Sequence, residues 1–162
     1  MSDNTAANLI LKEVGGPEGV TAFARSLADE VTRLDRIEPS LNDGTPGDPR
    51  DTTSPSAMAE TLQALTLGDA LSATSRAQLI AWMLACQTGD TKLRAGLPND
   101  WRVGDKTGFG GHGSSNDIAV IWPAQREPIV LTVYLTQCPA SNDEKSAAIA
   151  AVARAVAEAL PR

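Results

Sequence analysis

Asp105-Lys106-Thr107-Gly108-Phe109-Gly110-Gly111-His112-Gly113-Ser114-Ser115-Asn116-Asp117-Ile118-Ala119-Val120-Ile121-Trp122-Pro123 decides how this chain is read. The stretch predicts two β-strands, Trp101 to Thr107 and Asp117 to Trp122, joined by a glycine-rich turn. Lys106 and Thr107 close the first strand where glycines take over, and glycine lets a backbone or a ligand approach closely. A lysine beside a hydroxyl at a sheet edge can clamp an anion, the ammonium bringing charge and the edge bringing N–H donors. A surface hairpin with a solvated lysine fits the same residues.

Downstream, Pro123 to Pro128 is a short turn, and a third strand runs from Ile129 to Thr136 as an antiparallel neighbour. Apolar residues in Ile118–Trp122 and Ile129–Leu135 do not alternate with polar ones, so both faces of the sheet must be covered. Ser141 and Glu144 have capping-box spacing and open a last helix, with Ile149, Val152, Ala153, Val156 and Leu160 as its buried stripe. Upstream, Thr5 to Val14 is helical, with Ala6, Leu9, Ile10 and Val14 on one side. Gly15-Gly16-Pro17 breaks it, and a second helix carries Val20, Phe23, Ala24, Leu27 and Val31. Ser54-Pro55 caps a third helix with the stripe Met58, Leu62 and Leu65. Ser75 and Gln78 have capping-box spacing for a fourth, whose core stripe is Leu79, Trp82, Met83 and Cys86. Cys86 is thereby expected to be a buried, inert thiol. Thr91 to Gly96 adds a short turn carrying Lys92 and Arg94. The expected class is α/β of the α+β type: three antiparallel strands with helices on both faces, in one domain, 1–162.

Composition removes several functions. With 162 residues, 42% hydrophobic and 21% charged, a globular domain with a real core is expected. The net charge of −6 and the lack of a basic cluster argue against nucleic acid as a partner. No apolar run is long enough to span a membrane, and Met1-Ser2-Asp3-Asn4 is too polar to open a signal peptide. His112 is the only histidine, and Cys86 and Cys138 lack ligand spacing, so neither a metal site nor a cofactor is expected.

Arg33 to Ser54 interrupts the helical pattern with a long loop rich in Pro, Gly, Asp, Asn and Thr. Such loops are uncommon in compact domains unless functional. Arg36 and Asp51 stand near its ends and could close it as an ion pair, bidentate if the geometry permits. Glu38 precedes Pro39, where a cis bond is accessible. Composition alone favours a flexible, solvated loop in which Glu38 does nothing.

Ser2-Asp3-Asn4, Glu38 in the loop and Lys106-Thr107-Gly108 at the strand end, taken in this order, resemble the class A β-lactamases. The resemblance extends over nearly the whole chain. It takes in Val14-Gly15-Gly16-Pro17, Arg36 to Asn42, Gly47 to Pro55, Gly96-Leu97-Pro98 and Asn116 to Val120. It implies a truncated β-lactamase/transpeptidase-like fold and β-lactam antibiotics as ligands. It also implies residue roles. Ser2 would shuttle a proton to the β-lactam nitrogen, Asn4 would bind the substrate's acylamide, and Asp3 would hold the turn. Glu38 would activate the deacylating water, with Asn42 helping to hold it. Lys106, Thr107 and Gly108 would form the carboxylate clamp, and the Phe109 backbone N–H would donate to the oxyanion. Arg36 and Asp51 would be structural. Phe109 departs from the small or hydroxylated side chain frequent in the family. Lys92, or else Arg94, is the candidate for the extra cation often found beside the clamp. Full-length members are periplasmic or secreted.

One departure is decisive. The family's nucleophile lies in a Ser-x-x-Lys motif, and the residues three before Lys12, Lys92, Lys106 and Lys145 are Leu9, Gly89, Val103 and Asn142. The chain thus looks like the C-terminal part of such an enzyme, with Met1 in place of the residue before Ser2. It is expected to be inactive alone, or to act as a non-catalytic fragment that binds a β-lactam or a complementing N-terminal fragment. The Ile129–Leu135 strand is expected to be an unpaired apolar edge.

Overall fold

Three strands pair in the order β1 (Arg102–Phe109), β2 (Ser115–Trp122) and β3 (Ile129–Leu135) in the computed structural model, which describes residues 2–160. Met1, Pro161 and Arg162, and with them the expected substitution at Met1, lie outside the described residues. Both pairings are antiparallel, with Thr107 opposite Asp117 and Ala119 opposite Leu131. Each of the first two strands extends two residues further into the turn than expected, to Phe109 and from Ser115.

Both faces are covered, as the unbroken apolar runs demanded. Ala119 and Ile121 of β2 point to one side, against Leu93 and Leu97 around α5 (Leu93–Gly96) and Ile149 and Ala153 of α6 (Asn142–Ala159). Val120 points to the other, against Leu62 of α3 (Pro55–Thr66) and Met83 of α4 (Ala73–Leu84). The strand pleat alone produces this division. Gly96 lets α5 lie directly on α6, since a Cβ there would stand 2.0 Å from the Ala150 carbonyl oxygen.

The helix ends follow local chemistry, with two corrections. The Ser141–Glu144 capping box forms, Ser141 N donating to Glu144 Oε2 at 2.8 Å and Glu144 N to Ser141 Oγ at 3.3 Å. α4, however, is capped by Ser72, which accepts from Ser75 N at 3.2 Å, so Ser75 lies inside the helix. Any Ser whose side chain reaches the third following N–H will serve, and Ser72 does so first. α2 (Gly16–Ser26) stops well before Val31, which lies 51% exposed in the following turn. Ala28 at φ +63° breaks the helix, and the buried Asp29 then takes over, accepting from Val31 N at 2.9 Å and Thr32 N at 2.8 Å.

Several expected core residues are uncovered. Trp82 is 67% exposed although Met83 beside it is buried. Cys86 falls beyond the end of α4, half-buried, with Sγ 3.3 Å from Thr88 Oγ1, so it is not a core thiol; it and Cys138 are both free. Val152 of α6 is also exposed. α1 (Asn4–Glu13) buries none of its residues, and its stripe residues Leu9, Ile10 and Val14 all face outward. No helix among the described residues is long and apolar enough to cross a membrane.

Candidate active site

The long loop is closed as expected, through a fork. Arg36 Nε donates to Asp51 Oδ2 at 2.6 Å, and its Nη1 reaches Asp43 Oδ2 at 2.6 Å. The guanidinium therefore bridges two carboxylates and is not bidentate on one. Asp51 also accepts from the backbone N–H groups of Asp35 at 2.7 Å and Arg36 at 2.9 Å. These bonds make the solvated reading of the loop untenable, because its ends and middle are tied by charge-assisted contacts. The Glu38–Pro39 bond is cis, and a single 3₁₀ turn, Ser40–Asn42, follows.

That loop docks on the hairpin. Gly111 N donates to Asn42 O at 2.7 Å, and a Cβ on Gly111 would stand 2.2 Å from the Asp43 carbonyl oxygen. Glycine at the tip of the β1–β2 turn is what permits this contact. α1 holds the loop from the other side. The Asn8 side chain donates to Glu38 O at 2.9 Å and accepts from Glu38 N at 2.9 Å. Asp3, the cap of α1, accepts from Ala6 N at 2.8 Å and sets the helix start directly after Ser2.

Ser2, Asn4, Glu38, Asn42, Lys106, Thr107, Gly108 and Phe109 consequently line one cleft of about 480 Å³. Lys106 Nζ donates to Ser2 Oγ at 3.0 Å and to Thr107 O at 2.7 Å. Asn42 Nδ2 donates to Glu38 Oε2 at 2.5 Å. Thr107 Oγ1 lies 2.5 Å from Thr88 Oγ1. Asp3, Arg36 and Asp51 stand outside the cleft and shape its walls. Among the described residues no cluster of His, Cys, Asp and Glu could hold a metal ion.

Beneath the strand end lies a buried charged layer. Lys92 lines the cleft and donates to Ser115 Oγ at 2.8 Å and Asn116 O at 3.2 Å. Burial lowers its pKa, Lys106 and Lys145 adding to the effect while Asp117 opposes it. Asp117 is fully buried and accepts from Leu93 N at 3.1 Å. Burial, with the Asp105 charge adding to it, pushes its pKa up to about 7 against the pull of the Leu93 N–H and Lys92. Arg94 does not reach the cleft: its Nε bonds Asp105 Oδ1 at 2.5 Å, and its Nη2 bonds the Met83 and Leu84 carbonyls at 3.2 Å. Of the two expected extra cations, only Lys92 faces the site.

Sequence reasoning missed Asn8, Thr88 and Ser146 in or around the site. Asn8 sits one turn beyond Asn4 on α1, and an unpaired Asn on a short helix beside a long loop was the available signal. Thr88 and Ser146 carried none.

A lysine and a threonine at the end of β1, a hydroxyl held by an ammonium and a carboxylate held by an amide thus share one cleft. Known proteins place it further. The model of the β-lactamase enzyme family matches residues 1–160. β-Lactamase CTX-M-6 of Salmonella typhimurium is 56% identical over 155 residues, covering 96% of this chain and 53% of that protein. β-Lactamase OXY-2 of Klebsiella oxytoca is 55% identical over 159 residues, covering 98% and 55%. The solved ancestral (GNCA) class A β-lactamase superposes with a TM-score of 0.96 at 65% identity, covering 98% of this chain and 61% of that one. The chain belongs to the class A β-lactamase family. It spans about half the length of the curated relatives it matches, corresponding to a C-terminal part of them.

Proposed function

We propose that this chain supplies the carboxylate clamp, the proton shuttle and the deacylating base of a β-lactam hydrolase. The acyl group would be carried by a serine that a separate Ser-x-x-Lys segment contributes. The observation that carries the reading is the 3.0 Å bond from Lys106 Nζ to Ser2 Oγ across the cleft that Glu38 also lines. Because Lys106 is the donor, the Ser2 hydroxyl keeps its own proton free for the departing β-lactam nitrogen. Lys106 and Thr107 then hold the substrate carboxylate, with Asn4 on its acylamide. The Asn42 bond engages Glu38 Oε2 and fixes the carboxylate as a base for water. β1 is an edge strand, so alternate N–H groups point away from β2, and the Phe109 N–H is assigned to the oxyanion. Leu9, Ile10, Val14 and Phe23, all exposed, offer the complementing segment an apolar surface. The whole protein is proposed to work in the periplasm or outside the cell.

The test is hydrolysis of a chromogenic cephalosporin by the chain alone, by the chain mixed with the N-terminal segment of a relative, and by the Glu38→Ala mixture. The lone chain should show no turnover, and the mixture should. The variant mixture should lose at least about 1,000-fold in turnover and accumulate an acyl-enzyme. Turnover by the lone chain overturns the reading, as does a mixture that binds but ignores Glu38→Ala.

A further inference from the structure

In the proposed function Thr107 holds a carboxylate through its hydroxyl, and a hydroxyl has a single proton to give and lone pairs to fill. Thr88 Oγ1 stands 2.5 Å from Thr107 Oγ1, so one of those places is already taken. Which one is taken decides what the clamp can do. If Thr107 donates to Thr88, its proton is spent and the clamp keeps only the ammonium. If Thr88 donates to Thr107, the Thr107 proton is free for the anion.

The fold builds the position of Thr88. It lies in the loop between α4 and α5, and it lines the cleft. Gly89 beside it is buried, and a Cβ there would stand 2.0 Å from Asp105 Oδ2, so glycine lets this loop press on Asp105 of β1. Thr107 stands two residues beyond Asp105 and therefore on the same face of the strand. The loop is tied at both ends. Lys92 N donates to Gly89 O at 2.9 Å, and Arg94, bonded to Asp105, holds the Leu84 carbonyl through Nη2 at 3.2 Å.

Behind Thr88 stands one more proton. Cys86 Sγ is 3.3 Å from Thr88 Oγ1, which makes Thr88 the middle of a row of Cys86, Thr88 and Thr107. The Thr88 proton can turn to either neighbour. A thiol sulfur is a weak acceptor, so the Thr107 oxygen is the better target. The Cys86 S–H is then free to fill a Thr88 lone pair. With an anion in the clamp all the protons of the row point one way, from Cys86 to Thr88, from Thr88 to Thr107 and from Thr107 to the carboxylate. Hydrogen bonds aligned in a chain polarise one another, so the last one is strengthened.

We propose that Thr88 is a positioning residue of the clamp: it donates to Thr107 and so turns the Thr107 hydroxyl toward the substrate carboxylate, with the Cys86 thiol donating behind it. No proton changes owner; each group only turns. The inference rests on the proposed reading of Lys106 and Thr107 as a carboxylate clamp.

The experiment uses the whole chain with acetate as the carboxylate, its binding followed on the Lys106 Nζ resonance. Thr88→Val keeps the shape and loses the hydroxyl. It should weaken acetate about 5-fold, as expected for one hydrogen bond, and Thr88→Ser should restore the affinity to within about 2-fold. Thr107→Val should weaken acetate at least as much. Adding Thr88→Val to Thr107→Val should cost less than about 2-fold more, because Thr88 acts only through Thr107. The direction of the row is read from the infrared S–H stretch in a Cys138→Ser chain, where Cys86 is the remaining thiol. Acetate should move that band to lower frequency, as donation by the thiol requires, and Thr88→Val should abolish the movement. Unchanged acetate affinity in Thr88→Val overturns the proposal, as does a full loss that persists in the Thr107→Val background, the mark of a residue that only supports the loop. An S–H band that ignores acetate, or moves equally in Thr88→Val, overturns the direction of donation and the proposal with it. Acetate that leaves the Lys106 signal unmoved sinks the clamp itself, and so both the proposed function and this inference.

Discussion

α6 and α1 are both amphipathic in sequence, yet they are held by opposite means. α6 buries Ile149, Ala150 and Ala153 against the sheet and α5. α1 buries nothing and is fixed by polar bonds, the Asp3 cap and the two-way Asn8–Glu38 contact. The apolar stripe of one helix is thus a fold determinant within the chain, and that of the other is an unfilled surface. Periodicity reports that a helix has an apolar face; it does not report what covers it.

The largest expected effect breaks the comparison directly. Ile149→Ala should destabilise the chain by about 2–5 kcal/mol in denaturant unfolding, whereas Leu9→Ala should stay within about 0.5 kcal/mol. If a complementing segment covers α1, Leu9→Ala should weaken that complex measurably. Equal costs for the two in the lone chain would mean that α1 is covered after all.

The buried layer between the cleft and α6 comes next. Asp117 has its folded-state pKa raised to about 7, so the native state binds the extra proton. Stability should therefore be full below the unfolded-state value near 3.8 and fall as pH rises toward 7. The loss is at most about 4 kcal/mol and should be visible as a sloping melting temperature. Asp117→Asn should flatten that slope; a slope that persists unchanged would assign it to another group.

Smaller effects sharpen the contrast between polar and apolar fixing. Asn8→Ala should cost about 1–3 kcal/mol, through the loss of two part-buried hydrogen bonds to the Glu38 backbone. Its distinguishing sign is faster amide exchange in the 36–51 loop with no change in α6. Ser141→Ala should cost about 1 kcal/mol and fray only the first turn of α6. Exchange accelerating throughout after either change would show that the two regions unfold as one unit.

The sheet was legible because Ile118–Trp122 and Ile129–Leu135 are unbroken apolar runs between turn signals, and such runs admit few readings. The cleft was legible because Ser2, Glu38 and Lys106 stand in the order of the motifs of the family that the chain resembles, and the fold brings them together. What remained hidden depends on pairs that spacing does not reveal. Ser72 and Ser75 compete for one cap, and only the backbone path decides. Arg36 was matched with Asp51, but Asp43 enters its fork because the chain doubles back at Ser40–Asn42. Lys145 packs its ammonium against the Phe109 ring, a contact between residues 36 positions apart that no spacing signals.

The Asn8 contact also has a mechanical side. Ser2 precedes the first turn of α1, Asn4 begins it, and Asn8 one turn on grips the backbone of Glu38 from both sides. A helix is stiff over this length, so these residues behave as points on one lever. A tilt of α1 of a few degrees would shift the proposed proton donor and the proposed water base together, keeping their spacing while altering their reach toward Lys106. Whatever settles on the open face of α1 would therefore act on Ser2 and on the Glu38 backbone together.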